Sequence, residues 1–321
     1  MHKVSVGVLG ASGYAGRELC VLLGRHPCAE LVFASANEQR GSTARCGNRL
    51  VTFLAHDDAP LDRAQLVFSA LPHGASRRWV EAAHSAGAKV VDLSADLRPG
   101  SAGGAAAVPY GLTELARDQV RTAQVVANPG CYPTAVLLGL LPLLVRGLIA
   151  PGGCVSVAAA SGVTGAGIAP RQDLMFAEVN GDYRPYALGN THRHLAEMRA
   201  VMRALGCDAD LVFTPHLLPV SRGILATITV PLAESLSNPL ELWRAQYAGE
   251  PFVDITDEVP ALRDVVHRNV ARITVHAAAD VRRPTLIVVA AIDNLVKGAA
   301  GQALQNGNLL AGLDEAMGLP A

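Results

Sequence analysis

Hydrophobic positions over the first 130 residues alternate between short β-branched runs and helical stripes. Val4–Leu9 is a continuous apolar run of strand length. After it, Ala15, Leu19, Leu22 and Leu23 recur on one helical face, and Gly24 and Pro27 mark where that helix stops. Further strands are predicted at Leu31–Ala34, Leu66–Ala70, Lys89–Leu93 and Val125–Ala127, with helices near 75–86 and 113–121. Such alternation predicts a parallel sheet covered on both faces, a doubly wound α/β domain. From about 130 the rhythm changes. One helix (132–146) precedes Val155–Ala159, Leu211–Thr214, Ile224–Val230, Ile273–Ala277 and Leu286–Ala290, with helices near 193–205 and 239–248. Longer strands with fewer helices between them predict an α+β domain with a mixed, largely antiparallel sheet. Gly301–Leu313 is helical again, with Leu304, Leu309 and Leu310 as its stripe. The expected organisation is a dinucleotide-binding domain over 1–129, rejoined by a C-terminal helix in 295–321, and a second domain over 130–294. Gly100–Ala107 is expected to be a flexible connection.

Composition narrows the field. A net charge of -1 gives no reason to expect nucleic acid or an anionic membrane as partner. No apolar run reaches the ~20 residues that span a bilayer. Met1-His2-Lys3-Val4 leads straight into the first strand, so no signal peptide is expected. Cys20, Cys28, Cys46, Cys131, Cys154 and Cys207 show no C-x-x-C spacing, which argues against a metal site and for a reducing, cytoplasmic setting.

Two segments carry chemistry. The first is Gly10-Ala-Ser12-Gly13-Tyr14-Ala-Gly16, at the first strand–helix junction. Glycines there allow a tight turn and close approach of backbone to a pyrophosphate, which the helix N-terminus attracts. Gly10, Ser12, Gly13, Tyr14 and Gly16 are therefore cofactor candidates. An NAD site places an acid at the end of the second strand. Here the run is Ala34-Ser35-Ala36-Asn37, with Glu38 and then Arg40. Ser35 and Arg40 as 2′-phosphate partners point to NADP(H).

The second segment is Ala127-Asn128-Pro129-Gly130-Cys131-Tyr132-Pro133-Thr134. Pro133 is tolerated only in a first helical turn, so it locates the helix start. Cys131 then lies at a helix N-terminus, where the dipole favours a thiolate. Asn128 stands beside this nucleophile. A thiolate mechanism needs a proton shuttle, and His192 and His194 flank Arg193 at the start of a helix.

The segment around Cys131 resembles the active-site segment of N-acetyl-γ-glutamyl-phosphate reductases, grouped with aspartate-semialdehyde dehydrogenases and, more distantly, glyceraldehyde-3-phosphate dehydrogenases. The resemblance extends over nearly the whole chain. It includes Leu71–Gly74, Asp92–Arg98, Pro109–Gly111, Ser161–Gly167, His192–His194, Ser221–Ile224 and Asp293–Gly298. It implies NADPH-dependent reduction of an acyl phosphate through a Cys131 thioester, release of inorganic phosphate, and a place in arginine biosynthesis. It also implies a catalytic and dimerisation role for the second domain, and a homodimer or homotetramer.

By the same resemblance His194 is the acid/base, with His192 as the alternative, and Arg98 is the phosphate-site arginine, which holds the phosphate together with Asn128. Arg222 is a second candidate, for phosphate or the substrate α-carboxylate. Ser161 and Gly162 belong to a loop that covers substrate or nicotinamide, or is only a tight turn. Asn294 is expected at the cofactor, and Lys297 has no assigned role. Ile168 stands where many relatives carry a basic residue, with Arg171 following, and Leu195-Ala196 replaces their Thr-Pro. Three rivals stay open: a carrier-linked aminoadipyl phosphate, aspartyl phosphate, or a non-catalytic NADP-binding protein.

Overall fold

Alternate residues of a parallel strand must satisfy two cores, and here they do. The computed structural model describes residues 3–321 except 48, 103 and 105–107. The chain start at Met1-His2 and much of the Gly100–Ala107 loop therefore lie outside the described residues. Two compact units divide the chain: residues up to Gly130 together with Ala299–Pro320, and Cys131–Gly298.

The first unit runs β1 (Val4–Leu9), α1 (Tyr14–Arg25), β2 (Ala29–Ser35), β3 (Thr43–Cys46), β4 (Arg49–Thr52), β5 (Leu66–Ser69), α2 (Arg77–Ser85), β6 (Lys89–Asp92), α3 (Thr113–Thr122) and β7 (Val125–Ala127). Its main sheet is parallel, in the order β2-β1-β5-β6-β7. Phe68 and Val91 face one core with Leu19, Leu23, Leu304 and Leu309. Val67 and Val90 face the other, with Val80 and Ala83 of α2. The strand order reverses beside β1, and the crevice outside its carboxyl end is where such sheets bind ligands. The β3–β4 hairpin was not predicted. It buries little more than Cys46, so it carries no clear apolar alternation.

The second unit runs α4 (Cys131–Leu144), β8 (Cys154–Gly162), α5 (Phe176–Val179), β9 (Arg184–Pro185), α6 (His194–Ala204), β10 (Asp210–Leu218), β11 (Ile224–Pro231), α7 (Pro239–Gln246), β12 (Val253–Ile255), β13 (Ala271–Ala277) and β14 (Thr285–Ile292). A π-helical turn, Val296–Ala300, then leads into α8 (Gly301–Leu310). The seven strands lie in the order β12-β13-β14-β11-β8-β10-β9. Only β12–β13 and β8–β10 pair in parallel. The sheet is therefore mixed and largely antiparallel, as expected.

Every residue of α4 after Cys131 is buried. A helix apolar all round belongs in a core, and Gly139 lets this one sit close against Ile228 of β11. Pro142 inside it has no N–H, so the carbonyl of Leu138, four residues back, loses its helical donor. The hydroxyl of Tyr247 donates to that carbonyl, and the indole N–H of Trp243 donates to Gly139 at 3.0 Å. Tyr247 thus repairs the one gap that Pro142 leaves in the ladder, and Trp243 adds a second anchor to the next carbonyl. Tyr247→Phe is expected to cost about 1–3 kcal/mol, because it strands a buried carbonyl. Urea unfolding measures this, and an unchanged midpoint would show that Leu138 is satisfied by another donor.

Candidate active site

The turn after β1 is shaped by two tight glycines. Gly10 has φ 78°, and a Cβ there would meet the carbonyl oxygen of Ala70 at 2.5 Å. A Cβ on Gly16 would lie 2.2 Å from the Gly10 carbonyl oxygen. Gly13 differs: its φ of −69° suits any residue, and the nearest atom to a Cβ is 3.7 Å away. The amides of Gly10 and Ala11 are spent on the Ser35 carbonyl, at 3.0 and 2.9 Å. No side chain caps α1. Ser12 is half-buried and Tyr14 exposed at this turn, so the segment fits a dinucleotide cradle with room above Gly13.

The end of β2 corrects one expectation. Ser35 is fully buried, and its hydroxyl bonds His56 Nδ1 at 2.7 Å. It shapes the strand end from beneath and does not present itself to a 2′-phosphate. Asn37 accepts the His56 amide at 2.7 Å, while Arg40 is exposed.

Asp92–Arg98 forms a clasp within the first unit. Buried Asp92 accepts the hydroxyls of Ser76 and Ser94 at 2.7 and 2.8 Å. Asp96 accepts the amides of Gly74, Ser76 and Arg77 at the start of α2, which holds its carboxyl below the usual range. Arg98 is 4% exposed. Its Nε donates to the Asn128 carbonyl at 2.7 Å and one Nη to Leu93 at 2.6 Å. Asn128 is fully buried, donating to Ala299 at 3.2 Å and accepting from Asn306 at 3.0 Å. These bonds fix the segment that runs into Pro129 and Gly130, because buried polar groups must be paired.

In the second unit Cys131, partly exposed as the first residue of α4, opens onto a cleft of about 360 Å³. Ser161, Gly162, Arg171, Arg184, Arg193 and both histidines line it too. His192 Nδ1 accepts the backbone amide of His194 at 3.1 Å, and the two rings lie 4.9 Å apart in a T-shape. Burial, then the neighbouring Arg193 charge, pushes the His192 imidazole down to about 4. Tyr132 packs edge-on against both imidazoles and receives a hydrogen bond from Tyr186 at 3.2 Å. Burial raises both phenols, so they stay protonated.

Asn294 and Arg222 both have partners within the second unit. Asn294 is 2% exposed, accepts the Gly223 amide at 2.7 Å and donates to Thr164 at 3.0 Å. It ties the turn after Ser161 to the Ser221–Ile224 loop and so braces the cleft. Arg222 pairs with fully buried Asp293 at 3.2 Å and contacts His267 at 3.1 Å. Its charge is compensated within the protein, and it does not line the cleft. Gly298 explains the end of that motif: a Cβ there would meet the Cys131 Cβ at 2.9 Å. Tyr186 and Arg184 were missed because the stretch from 168 to 190 has no apolar periodicity, and Tyr132 because it reads as core.

Residues 5–123 match the family described as "Semialdehyde dehydrogenase, NAD binding domain", and 131–294 match "Semialdehyde dehydrogenase, dimerisation domain". Aspartate semialdehyde dehydrogenase II from Vibrio cholerae has the same fold, with TM-score 0.80 at 17% identity over 97% of this chain and 99% of that one. Aspartate semialdehyde dehydrogenase with NADP from Candida albicans gives 0.67 at 16%, over 96% and 98%. Fold and domains thus define the semialdehyde dehydrogenase class. The N-acetyl-γ-glutamyl-phosphate reductase of Marinobacter nauticus is 40% identical over 99% of this chain and 98% of its own. The chain belongs to the N-acetyl-γ-glutamyl-phosphate reductase family.

Two outcomes are expected. Gly13→Ala should keep wild-type stability yet weaken dinucleotide binding, whereas Gly16→Ala should lower the melting temperature. Calorimetric titration and thermal unfolding separate them, and unaltered binding by Gly13→Ala would remove that residue from the cradle. For His192 the folded protein binds its proton less readily than the unfolded chain, whose histidine titrates near 6.5. Relative to His192→Gln, stability should be unaffected above pH 6.5 and fall as pH drops from there through about 4. Urea midpoints across that range test the sign.

Proposed function

We propose that this protein reduces N-acetyl-γ-glutamyl phosphate to N-acetylglutamate semialdehyde and phosphate, with Cys131 as covalent nucleophile. The observation that carries this reading is Cys131 at the first turn of α4, sharing one cleft with His192 and His194. In His192 the Nδ1 lone pair is occupied by the His194 amide and burial disfavours the charged form, so it stays neutral near pH 7. His194, 4% exposed at the start of α6, is then the proton carrier.

His194 takes the Cys131 proton, and the thiolate attacks the acyl carbon. The carbon–oxygen bond to phosphate breaks, phosphate leaves with that electron pair and gains a proton from solvent, and a thioester remains. When bound, the reduced nicotinamide supplies the hydride for the thioester carbon. His194 protonates the oxygen as the hydride arrives, and collapse of the hemithioacetal returns the proton and frees the aldehyde. Gly10, Gly13 and Gly16 would hold the dinucleotide pyrophosphate. NADP(H) is the preferred form because no acid ends β2 and Arg40 is exposed there. Arg98 and Asn128 act as positioning residues for the segment before Cys131, and Ser161 faces the substrate.

The matched dimerisation domain supports a homodimer or homotetramer. Among the described residues no helix is long and apolar enough to cross a membrane, and the reaction fits a cytoplasmic enzyme.

Cys131→Ala is expected to abolish turnover and acyl-enzyme formation while NADPH still binds. His194→Asn should lower kcat by roughly 10²–10⁴-fold, the usual value of a general acid/base. Phosphate-dependent reduction of NADP+ by N-acetylglutamate semialdehyde is the assay. Normal turnover by Cys131→Ala would end the proposal, and activity confined to a carrier-linked aminoadipyl analogue would favour that rival.

A further inference from the structure

The cleft beside Cys131 is lined by three arginines, and two of them are compensated. Arg171 binds Asp173 through two nitrogens, at 2.6 and 3.0 Å. Arg184 pairs with Asp182 and donates to the carbonyls of Glu178 and Asp173, at 3.1 and 2.7 Å. Arg193 is exposed and, among the described residues, forms no ion pair. It stands at the N-cap of α6, the positive end of that helix, and beside the His192 imidazole. A cation gains nothing from either neighbour. Its own protein surroundings disfavour the one uncompensated charge in the cleft, so an anionic ligand is the partner that completes it.

The proposed substrate brings two anionic ends. Its phosphate departs in every turnover and is attached to the carbon that Cys131 attacks. Its α-carboxylate lies at the far end of the glutamyl chain and is present in substrate, thioester and product alike. Resting on the function proposed above, we infer that Arg193 is the receptor for the substrate α-carboxylate and so sets specificity for an N-acetylated α-amino acid chain. The planar guanidinium offers two parallel N–H donors that match a carboxylate. An exposed position suits the end of the substrate remote from the sulfur. The two histidines flanking Arg193 in sequence then share one short segment with the carboxylate anchor, so binding and proton transfer keep a fixed register. This role passes to Arg193 from Arg222, whose charge is already met by Asp293.

The test uses Arg193→Gln and Arg193→Lys in the full-length enzyme, assayed toward acyl phosphate. Arg193→Gln should raise KM for N-acetylglutamate semialdehyde roughly ten- to hundred-fold, the usual effect of losing a hydrogen bond to a charged group. KM for phosphate and for NADP+ should stay unchanged, and Arg193→Lys should recover part of the loss. A rise in KM for phosphate instead would assign Arg193 to the leaving group and overturn the inference. A second readout does not depend on the reaction. Cys131 is alkylated with iodoacetate, an anion, and iodoacetamide, its neutral counterpart, with Cys131→Ala as the background. Arg193→Gln should lower the ratio of the two rates about tenfold while iodoacetamide reacts as before. A lowered ratio without turnover of the semialdehyde would keep the anion receptor and end the proposed function. Turnover with an unmoved KM and an unmoved ratio would keep the function and end the inference.

Discussion

The burial of α4 is the constraint on which the rest of the second unit depends. An apolar helix with no polar face cannot lie on a surface, so β11, β14, α6 and α7 must enclose it. Enclosure sets where its first residue, Cys131, comes out. The same helix carries Pro142, the Leu138 carbonyl orphaned there takes the Tyr247 hydroxyl, and Trp243 of α7 anchors Gly139 beside it. At its start Gly298 lies so close to the Cys131 Cβ that no side chain fits between them. Cys131 is thus held by packing on one side and opens to a cleft on the other.

Polar residues within each unit divide into those that brace loops and those that line the cleft. Arg98, Asn128 and Asn294 are almost wholly buried, and their hydrogen bonds run to backbone carbonyls, amides and neighbouring side chains. Each ties together loops that leave different strands. Their value is positional, since an unsatisfied buried amide or guanidinium would destabilise the very loops it joins. Cys131, the histidine pair and Arg193 instead share one cleft. Burial, then the Arg193 charge, keeps His192 neutral, so the histidine pair and this guanidinium share one short segment.

Much of this was legible in the residues. Periodicity located both sheets and most helices, because strand and helix patterns are local and each apolar face must be buried. Pro133 placed the start of α4, and the glycine spacing placed the dinucleotide turn, since those residue types act through their own backbone. A cysteine at a helix start and two histidines around an arginine were visible for the same reason. The polar β3–β4 hairpin was not visible, nor was the stretch that supplies Arg184 and Tyr186, where no period distinguishes one conformation from another.

Tertiary structure alone decided what the polar side chains do. Ser35 meets His56 across 21 residues, Arg98 meets Asn128 across 30, and Asn294 meets Gly223 across 71. No local pattern records such partners, and each of these residues could as well have faced a ligand. Whether an arginine is a receptor or a strut depends on whether folding brings it an acid or a carbonyl. Folding brought Asp293 to Arg222 across 71 residues, and among the described residues it brought no acid to Arg193 in the cleft. Cys131 at the start of its helix was written in the chain, and the partners of the polar side chains were assigned by the fold.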